Sequence, residues 1–506
     1  MNRPIESIAT TGSGGVLVEV ECHITNSLPS VIIVGLAQKA VDEAKERVRS
    51  AFSASNIKFP KKRVTINLAP ADTPKDSTSF DLAIAVSILQ VSGLIPTSTL
   101  MNDFLFFGEL SLSGKLRPVR GVIGKLLEAK KLGKMNCVIP FKNLDQAKLV
   151  PGLNIVPCHD LSELYNLLVG TRPISLLSTN GKFINTKTEK VSILDISEVS
   201  GQKRAKRALE IAAAGNHNLL LAGPPGTGKS MLAKVLPGLI TPMSQDEILE
   251  VTQIHSLSNR NFDHIISLRP FRSPHHSASH TAIVGGGQSP KPGEVSLAHK
   301  GILFLDELPE FSRTTLESLR QPLEDRFVSI SRAKESVTYP AEFILVATAN
   351  PCPCGYYGSS KECTCSAAQI VKYQQKLSGP ILDRIDMYVE VDDVEHNILL
   401  DKSHGETSKS VQKRVNSARK KQQTRNQGLL NSNLTNTQLK KIVNLPDEAK
   451  QLLNRAAEKL SISARSYMKI LKVARTIADL DNSDTTTQLH ISEALQYRRN
   501  SNQNTM

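Results

Sequence analysis

Residues 219–230 read Leu219-Leu220-Leu221-Ala222-Gly223-Pro224-Pro225-Gly226-Thr227-Gly228-Lys229-Ser230. The first four are an apolar run too short for a helix and stopped by glycine and proline, which is how a strand buried on both faces of a parallel sheet looks. The next eight fit G-x-x-x-x-G-K-[ST], and the pattern from Ser230 to Leu236 is helical. Strand, glycine-rich loop and helix N-terminus together define a phosphate cradle. The backbone N–H groups of Gly223, Pro224, Pro225, Gly226, Thr227 and Gly228, prolines excepted, curl toward phosphate oxygens, and the helix dipole favours negative charge there. Lys229 neutralises the β and γ phosphates and Ser230 offers its hydroxyl to Mg²⁺, so the expected ligands are ATP and Mg²⁺.

Outward from this loop, Ile302-Leu303-Phe304-Leu305-Asp306-Glu307 is a second apolar strand, ending in two carboxylates. Downstream of Lys229 it reads as a Walker B motif: Asp306 holds hydrated Mg²⁺ and Glu307 polarises the attacking water. Alone, such a strand end is common. A third strand, Phe343 to Thr348, leads to Asn350, which orients the water from the neighbouring strand tip or, on the plainer reading, only turns the chain before Pro351. Apolar runs alternating with helical patterns make the middle of the chain α/β. Turn-rich, polar sequence near 170–195 marks a linker, and polar helix-forming sequence after Asp392 marks a helical lid.

At 506 residues the chain exceeds one hydrophobic core. Its 40% hydrophobic and 22% charged composition is ordinary for globular proteins, and no apolar run is long enough to span a bilayer. The beginning of the sequence has no secretory pattern, which places the expected location in the cytoplasm, with no membrane partner. A formal charge of +14 favours a polyanion such as DNA, although a merely soluble basic protein has the same charge.

Beyond these motifs the chain resembles the Mg chelatase-like AAA+ ATPases of the YifB/ComM family along essentially its whole length. The segments that carry the resemblance are Phe271-Arg272-Ser273-Pro274-His275-His276, Gly285-Gly286-Gly287 with Pro290-Lys291-Pro292-Gly293-Glu294, and Leu297-Ala298-His299-Lys300-Gly301. To these add Ala349-Asn350-Pro351-Cys352-Pro353-Cys354-Gly355, Leu382-Asp383-Arg384-Ile385-Asp386 and Ser463-Ala464-Arg465-Ser466-Tyr467. The resemblance implies a homo-oligomeric ring, commonly a hexamer. In it Arg384 reaches the γ-phosphate of the neighbouring subunit as an arginine finger, Arg465 contacts the same phosphate from the lid as sensor 2, and Asn350 is sensor 1. The glycine-rich segment with Lys291 looks like the helix 2 insert that this clade aims into its pore. Phe327 to Tyr339 resembles the hairpin before sensor 1, with Arg332 and Lys334 at its tip either gripping a phosphate backbone or forming a solvated turn.

The implied organisation is a Lon-protease-like α+β domain over 1–168, a linker over 169–195, an AAA+ P-loop core with a parallel sheet over 196–395 and a helical lid over 396–506. In the first of these, Pro74-Lys75-Asp76-Ser77-Thr78-Ser79 and Gly108-Glu109-Leu110-Ser111-Leu112 resemble Lon segments, and Ser79 matches the Lon serine. Ile123 falls at the position of the Lon lysine, with Lys125 two residues on, so the expected dyad is broken and the domain is expected to be a non-proteolytic scaffold for an unknown partner. Four of the seven cysteines, Cys352, Cys354, Cys363 and Cys365, supply the ligand count of a closed structural Zn²⁺ site or are four free thiols; on either reading ATP hydrolysis does not require them. Between Asp401 and Gly428 eight basic residues face two acids, read as a solvated helix joining core to lid rather than a dedicated DNA contact.

Two functions remain open at this level. One is a DNA helicase or branch-migration motor that promotes integration of DNA in natural transformation or recombination; the other is a chelatase-like ATPase that remodels a protein partner.

Overall fold

The computed structural model describes residues 3–11, 14–34, 43–70, 78–96, 103–181, 194–258, 263–287, 290–331, 336–377, 379–394 and 405–498. Arg332 and Lys334, and the 74–77 part of the Lon-like signature, lie outside them.

Strands alternating in burial build an eight-stranded mixed sheet in the N-terminal third. Because successive side chains point to opposite faces, Phe106 enters one apolar cluster while Leu105 and Phe107 enter another. The helix Asp81–Val91, buried along nearly its whole length, fills the first cluster with its apolar residues. The helix Val122–Lys131 fills the second, and there Met243, Ile248 and Val251 of the following region also pack, so the N-terminal sheet is docked on the middle of the chain. Leu177–Ser178 pairs with Asn154–Cys158, which carries this sheet into the stretch read as linker.

The middle contains a five-stranded parallel sheet in the order Phe271–Arg272, Ile302–Leu305, Ile344–Ala349, Leu219–Ala222, Met387–Glu390. Register sets Ala222 beside Ala349 and Glu390, and Leu305 beside Ala347. The loops after these strands therefore share one edge, the carboxyl edge, where open α/β sheets bind ligands.

The C-terminal helices share one apolar cluster with the sheet. Val411, Val415 and Ala418 of the helix Ser408–Arg425 pack with Ala208, Leu209 and Ile211 of the helix Lys203–Gly215. This corrects the solvated reading of the basic segment. Arg414 pairs with Glu210 and Glu406, Arg425 with Asp479, and buried Arg419 donates from Nε to the Ala213 carbonyl at 2.7 Å. Lys409, Lys413 and Lys420 keep the exposed side.

Candidate nucleotide site and the residues around it

The loop after Leu219–Ala222 turns through Gly226 at φ 88° and Gly228 at φ 86°, left-handed backbone that favours glycine. A Cβ on Gly223 would meet the Val391 carbonyl oxygen at 2.1 Å, so the loop passes tightly beneath the neighbouring strand end. Lys229 opens the helix Lys229–Leu239 and folds its Nζ back onto the Gly223 and Pro224 carbonyls, each at 2.6 Å. Burial pulls its ammonium below the usual lysine range, against the pull of Asp306 and Glu307. A γ-phosphate relieves that desolvation directly.

Ser230 Oγ donates to Asp306 Oδ2 at 3.2 Å, which joins the helix start to the Walker B carboxylate. Both groups are hard oxygen donors of the kind that would hold a Mg²⁺. Glu307 follows in left-handed backbone at φ 54°, a conformation that costs a non-glycine residue of order 1–3 kcal/mol and marks sites where side-chain aim matters. Its backbone N–H donates to Thr348 Oγ1 at 2.8 Å, and Thr348 Oγ1 donates to Asp306 Oδ1 at 2.6 Å. Thr348, 1% exposed, thus fixes the Asp306 carboxylate and the Glu307 backbone together. Sequence reasoning missed it, since a threonine inside an apolar strand carries no pattern. Asn350 follows the strand Ile344–Ala349 at the same edge, where Ala349 accepts the Gly223 N–H at 3.2 Å.

Arg384 and Arg465 are elsewhere. Arg384 precedes the strand Met387–Glu390, at the amino edge of the sheet, beside Asn218 and Phe343, which precede two other strands. A cleft of about 1000 Å³ opens there; both arginines line it and none of residues 223–230 does. The two arginines meet on one carboxylate that the sequence did not single out, Glu324: Arg384 Nη2 lies 2.8 Å from it and Arg465 also pairs with it.

Lys291 lies in a two-stranded ribbon of Lys291–Pro292 with Gly285–Gly286, and Phe327–Ser331 forms a second ribbon with Ser336–Pro340. Tyr339 donates from its hydroxyl to the Pro290 carbonyl at 2.8 Å, which clamps the two ribbons together.

The four cysteines converge, with all four Sγ atoms within 4.8 Å of one another. Separations of 3.3, 3.5 and 3.7 Å sit near the roughly 3.8 Å between sulfurs of a tetrahedral Zn–S₄ site. The Tyr356 N–H pulls the Cys354 thiol down to about 6. Cys363 is pulled down by the Cys365 N–H but pushed up overall to about 12 by its thiol neighbours Cys354 and Cys352. Four thiolates need a cation among them. The cluster touches the nucleotide loop, since a Cβ on Gly355 would meet Pro225 Cδ at 2.7 Å.

In the N-terminal domain the broken-dyad expectation is corrected at one point. Lys125, not Ile123, faces Ser79, with Nζ 3.2 Å from Oγ. Positions two apart on a helix differ by about 200°, so only one of them can face the serine. Ile123 turns into the apolar cluster instead. Lys125 also donates to the Ile8 carbonyl, and Ser79 and Lys125 are 1% and 0% exposed.

Taken together, the sheet order, the loop at its carboxyl edge and the paired carboxylates define a nucleotide-binding AAA+ core. Residues 195–399 match the family described as magnesium chelatase, subunit ChlI; residues 20–143 match subunit ChlI of Mg-chelatase, and residues 405–498 match its C-terminal part. The chain is 44% identical to competence protein ComM of Haemophilus influenzae, over 98% of this chain and 97% of that protein. It is 42% identical to the uncharacterized protein YifB of Escherichia coli (strain K12), over 98% and 96%. Part of it, 39% of this chain, is 24% identical to 25% of a Lon protease of Trichlorobacter lovleyi. The chain belongs to the YifB/ComM family of Mg chelatase-like AAA+ ATPases. Among its described residues no helix is long and apolar enough to cross a membrane.

Proposed function

We propose that this chain is an ATP-hydrolysing ring motor that acts on DNA, a helicase or branch-migration factor that promotes integration of DNA in natural transformation or recombination. The observation that carries the ring is the separation of the two arginines from the nucleotide loop. Arg384 and Arg465 open onto the amino edge of the sheet and Lys229 onto the carboxyl edge. Neither arginine serves its own nucleotide; each stabilises the phosphoryl charge on the nucleotide of the next copy in a closed, head-to-tail ring, commonly a hexamer. In this reading Lys229 and Ser230 hold the β/γ-phosphates and Mg²⁺, Asp306 completes the Mg²⁺ site, and Glu307 with Asn350 orients water.

DNA is favoured as the substrate by the +14 charge, by the paired ribbons that carry Lys291 and flank Arg332 and Lys334, and by similarity to a competence protein. The chelatase-like alternative, remodelling of a protein partner, is favoured by the family match over 195–399. ATP turnover with and without single-stranded, duplex and forked DNA at low salt separates them. Stimulation that declines with salt and is absent in Lys229→Ala and Glu307→Gln supports the DNA motor. Turnover indifferent to every DNA leaves the protein-remodelling reading.

Two further assignments belong to this reading. The cysteine cluster holds one structural Zn²⁺, with no coordination position left for water. The Ser79–Lys125 pair is buried among the described residues, and Lys125 ties the first strand to the helix Val122–Lys131, which supports reading the N-terminal domain as a scaffold for a partner rather than a peptidase.

A further inference from the structure

Glu324 is the penultimate residue of the short helix Arg320–Asp325, which is followed by Arg326 in left-handed backbone and the ribbon strand Phe327–Ser331. Its Oε1 accepts from Nη2 of both Arg384 and Arg465, the latter 141 positions away in the chain. The two guanidiniums hold the Glu324 carboxyl below the usual carboxylate range although burial opposes them. Arg384 is otherwise incompletely satisfied. Its Nη1 donates to the Pro380 carbonyl of its own helix at 2.6 Å, and its buried Nε has no hydrogen-bond partner among the described residues. Further cations, Arg326, Lys440, Lys469 and Lys472, line the same cleft. The carboxylates Glu342, Asp383 and Asp386 line it too, with Arg326 paired to Glu342 and Lys469 to Asp386, so it is a recess of mixed charge with cations in excess, in which half-exposed Glu324 is the carboxylate that meets both arginines.

We propose that Glu324 is an assembly latch: in a subunit without a neighbour it holds both arginines, and on ring closure the γ-phosphate bound by the adjacent copy takes them from it. The inference rests on the ring reading above and adds to it the residue that competes with the nucleotide. A terminal phosphate carries more charge and more acceptor oxygens than a carboxylate, and an exposed carboxylate pair is weak, so the exchange runs toward the phosphate. When the γ-phosphate has been released, Glu324 recaptures the guanidiniums and the interface loosens. Since Glu324 lies three residues before Phe327, the exchange moves the base of the ribbon Phe327–Ser331. Nucleotide state in one subunit is thereby passed to the neighbour's ribbon.

The test is ATP turnover per subunit as a function of protein concentration for the full chain, wild type against Glu324→Gln and Glu324→Asp. Glu324→Gln keeps the shape and removes the charge. It is expected to reach half-maximal turnover at about 3- to 10-fold lower protein concentration, the worth of one or two exposed ion pairs, with kcat at saturating protein retained. Glu324→Asp, which keeps the charge, is expected to fall between Glu324→Gln and wild type. A tenfold loss of kcat in Glu324→Gln would mean that the carboxylate aims the arginines productively, and an unchanged concentration profile would mean that it does nothing; either overturns the latch. Arg384→Ala and Arg465→Ala run alongside. If both retain wild-type turnover the ring reading has failed and the latch falls with it, whereas if both abolish turnover and Glu324→Gln has no effect only the latch falls.

Discussion

Replacing Thr348 by valine keeps the branched shape and removes one hydroxyl, yet that hydroxyl joins the Asp306 carboxylate to the Glu307 backbone N–H. In the structure it donates to Asp306 at 2.6 Å and accepts the Glu307 N–H at 2.8 Å, in a position 1% exposed. A hydrogen bond to a charged group contributes about 1.5–3 kcal/mol, and an abandoned buried N–H costs about 1–3 kcal/mol. Part of this total is lost equally from ground and transition states, because a Mg²⁺ on Asp306 would be held in both. Glu307 differs: its backbone is already in a left-handed conformation at φ 54°, and freeing its N–H lets the carboxylate drift from the line of attack. If about 1.4–2.7 kcal/mol of the loss falls on the transition state, kcat drops about 10- to 100-fold while the KM for ATP changes little. Steady-state turnover at saturating protein and Mg²⁺ measures this, with Thr348→Ser as the control that restores the hydroxyl. Wild-type kcat in Thr348→Val would refute the reasoning, as would an equal loss in Thr348→Ser.

Other expectations follow from the same structure. Protein purified without chelator should contain about one Zn²⁺ per chain, and stripping it should raise the KM for ATP while kcat persists, because the cluster meets the nucleotide loop where Gly355 seats on Pro225; metal analysis with titration of ATP turnover checks both. Burial pulls the His255 imidazole down to about 4, so the folded state prefers it neutral. The unfolded chain then binds more protons between about pH 6.5 and 4, and stability falls across that window as pH is lowered, by up to about 3 kcal/mol from this group. Denaturant melts at pH 7 and pH 5 should show a shallower loss in His255→Gln, and an equal slope would contradict it. Ser79→Ala should lower the melting temperature slightly, through loss of one buried hydrogen bond of about 1 kcal/mol, and leave ATP turnover unchanged; casein cleavage by wild type that disappears in this variant would overturn the scaffold reading.

The nucleotide loop was legible in the sequence because its conformation is local. Gly226 and Gly228 are the residues that left-handed turns select, and Lys229 and Ser230 follow them directly onto a helix start. Asp306 and Glu307 were legible for the same reason, as the end of an apolar run, and the four cysteines because they fall within a short stretch. Where the sequence erred, the decision was one of phase. The Lon-like pattern puts Ile123 at the lysine position and Lys125 two residues on, and only the packing of their helix against the sheet chose which faces Ser79. The basic helix misled in a similar way. Its arginines at 414, 419 and 425 are charged residues by type, but Glu210, the Ala213 carbonyl and Asp479 receive them from distant parts of the chain.

What the sequence by itself determined is therefore the set of groups that a few consecutive residues can orient: the phosphate loop, the carboxylate pair, the sulfur cluster and the alternation of strand and helix. Tertiary structure decided what joins them. Thr348 between the Asp306 carboxylate and the Glu307 backbone, Glu324 between two arginines, Lys125 against Ser79 and the edge of the sheet on which Arg384 opens all depend on strand order and helix phase. Those are fixed by burying apolar surface over the whole domain, a sum in which no single residue carries a recognisable pattern.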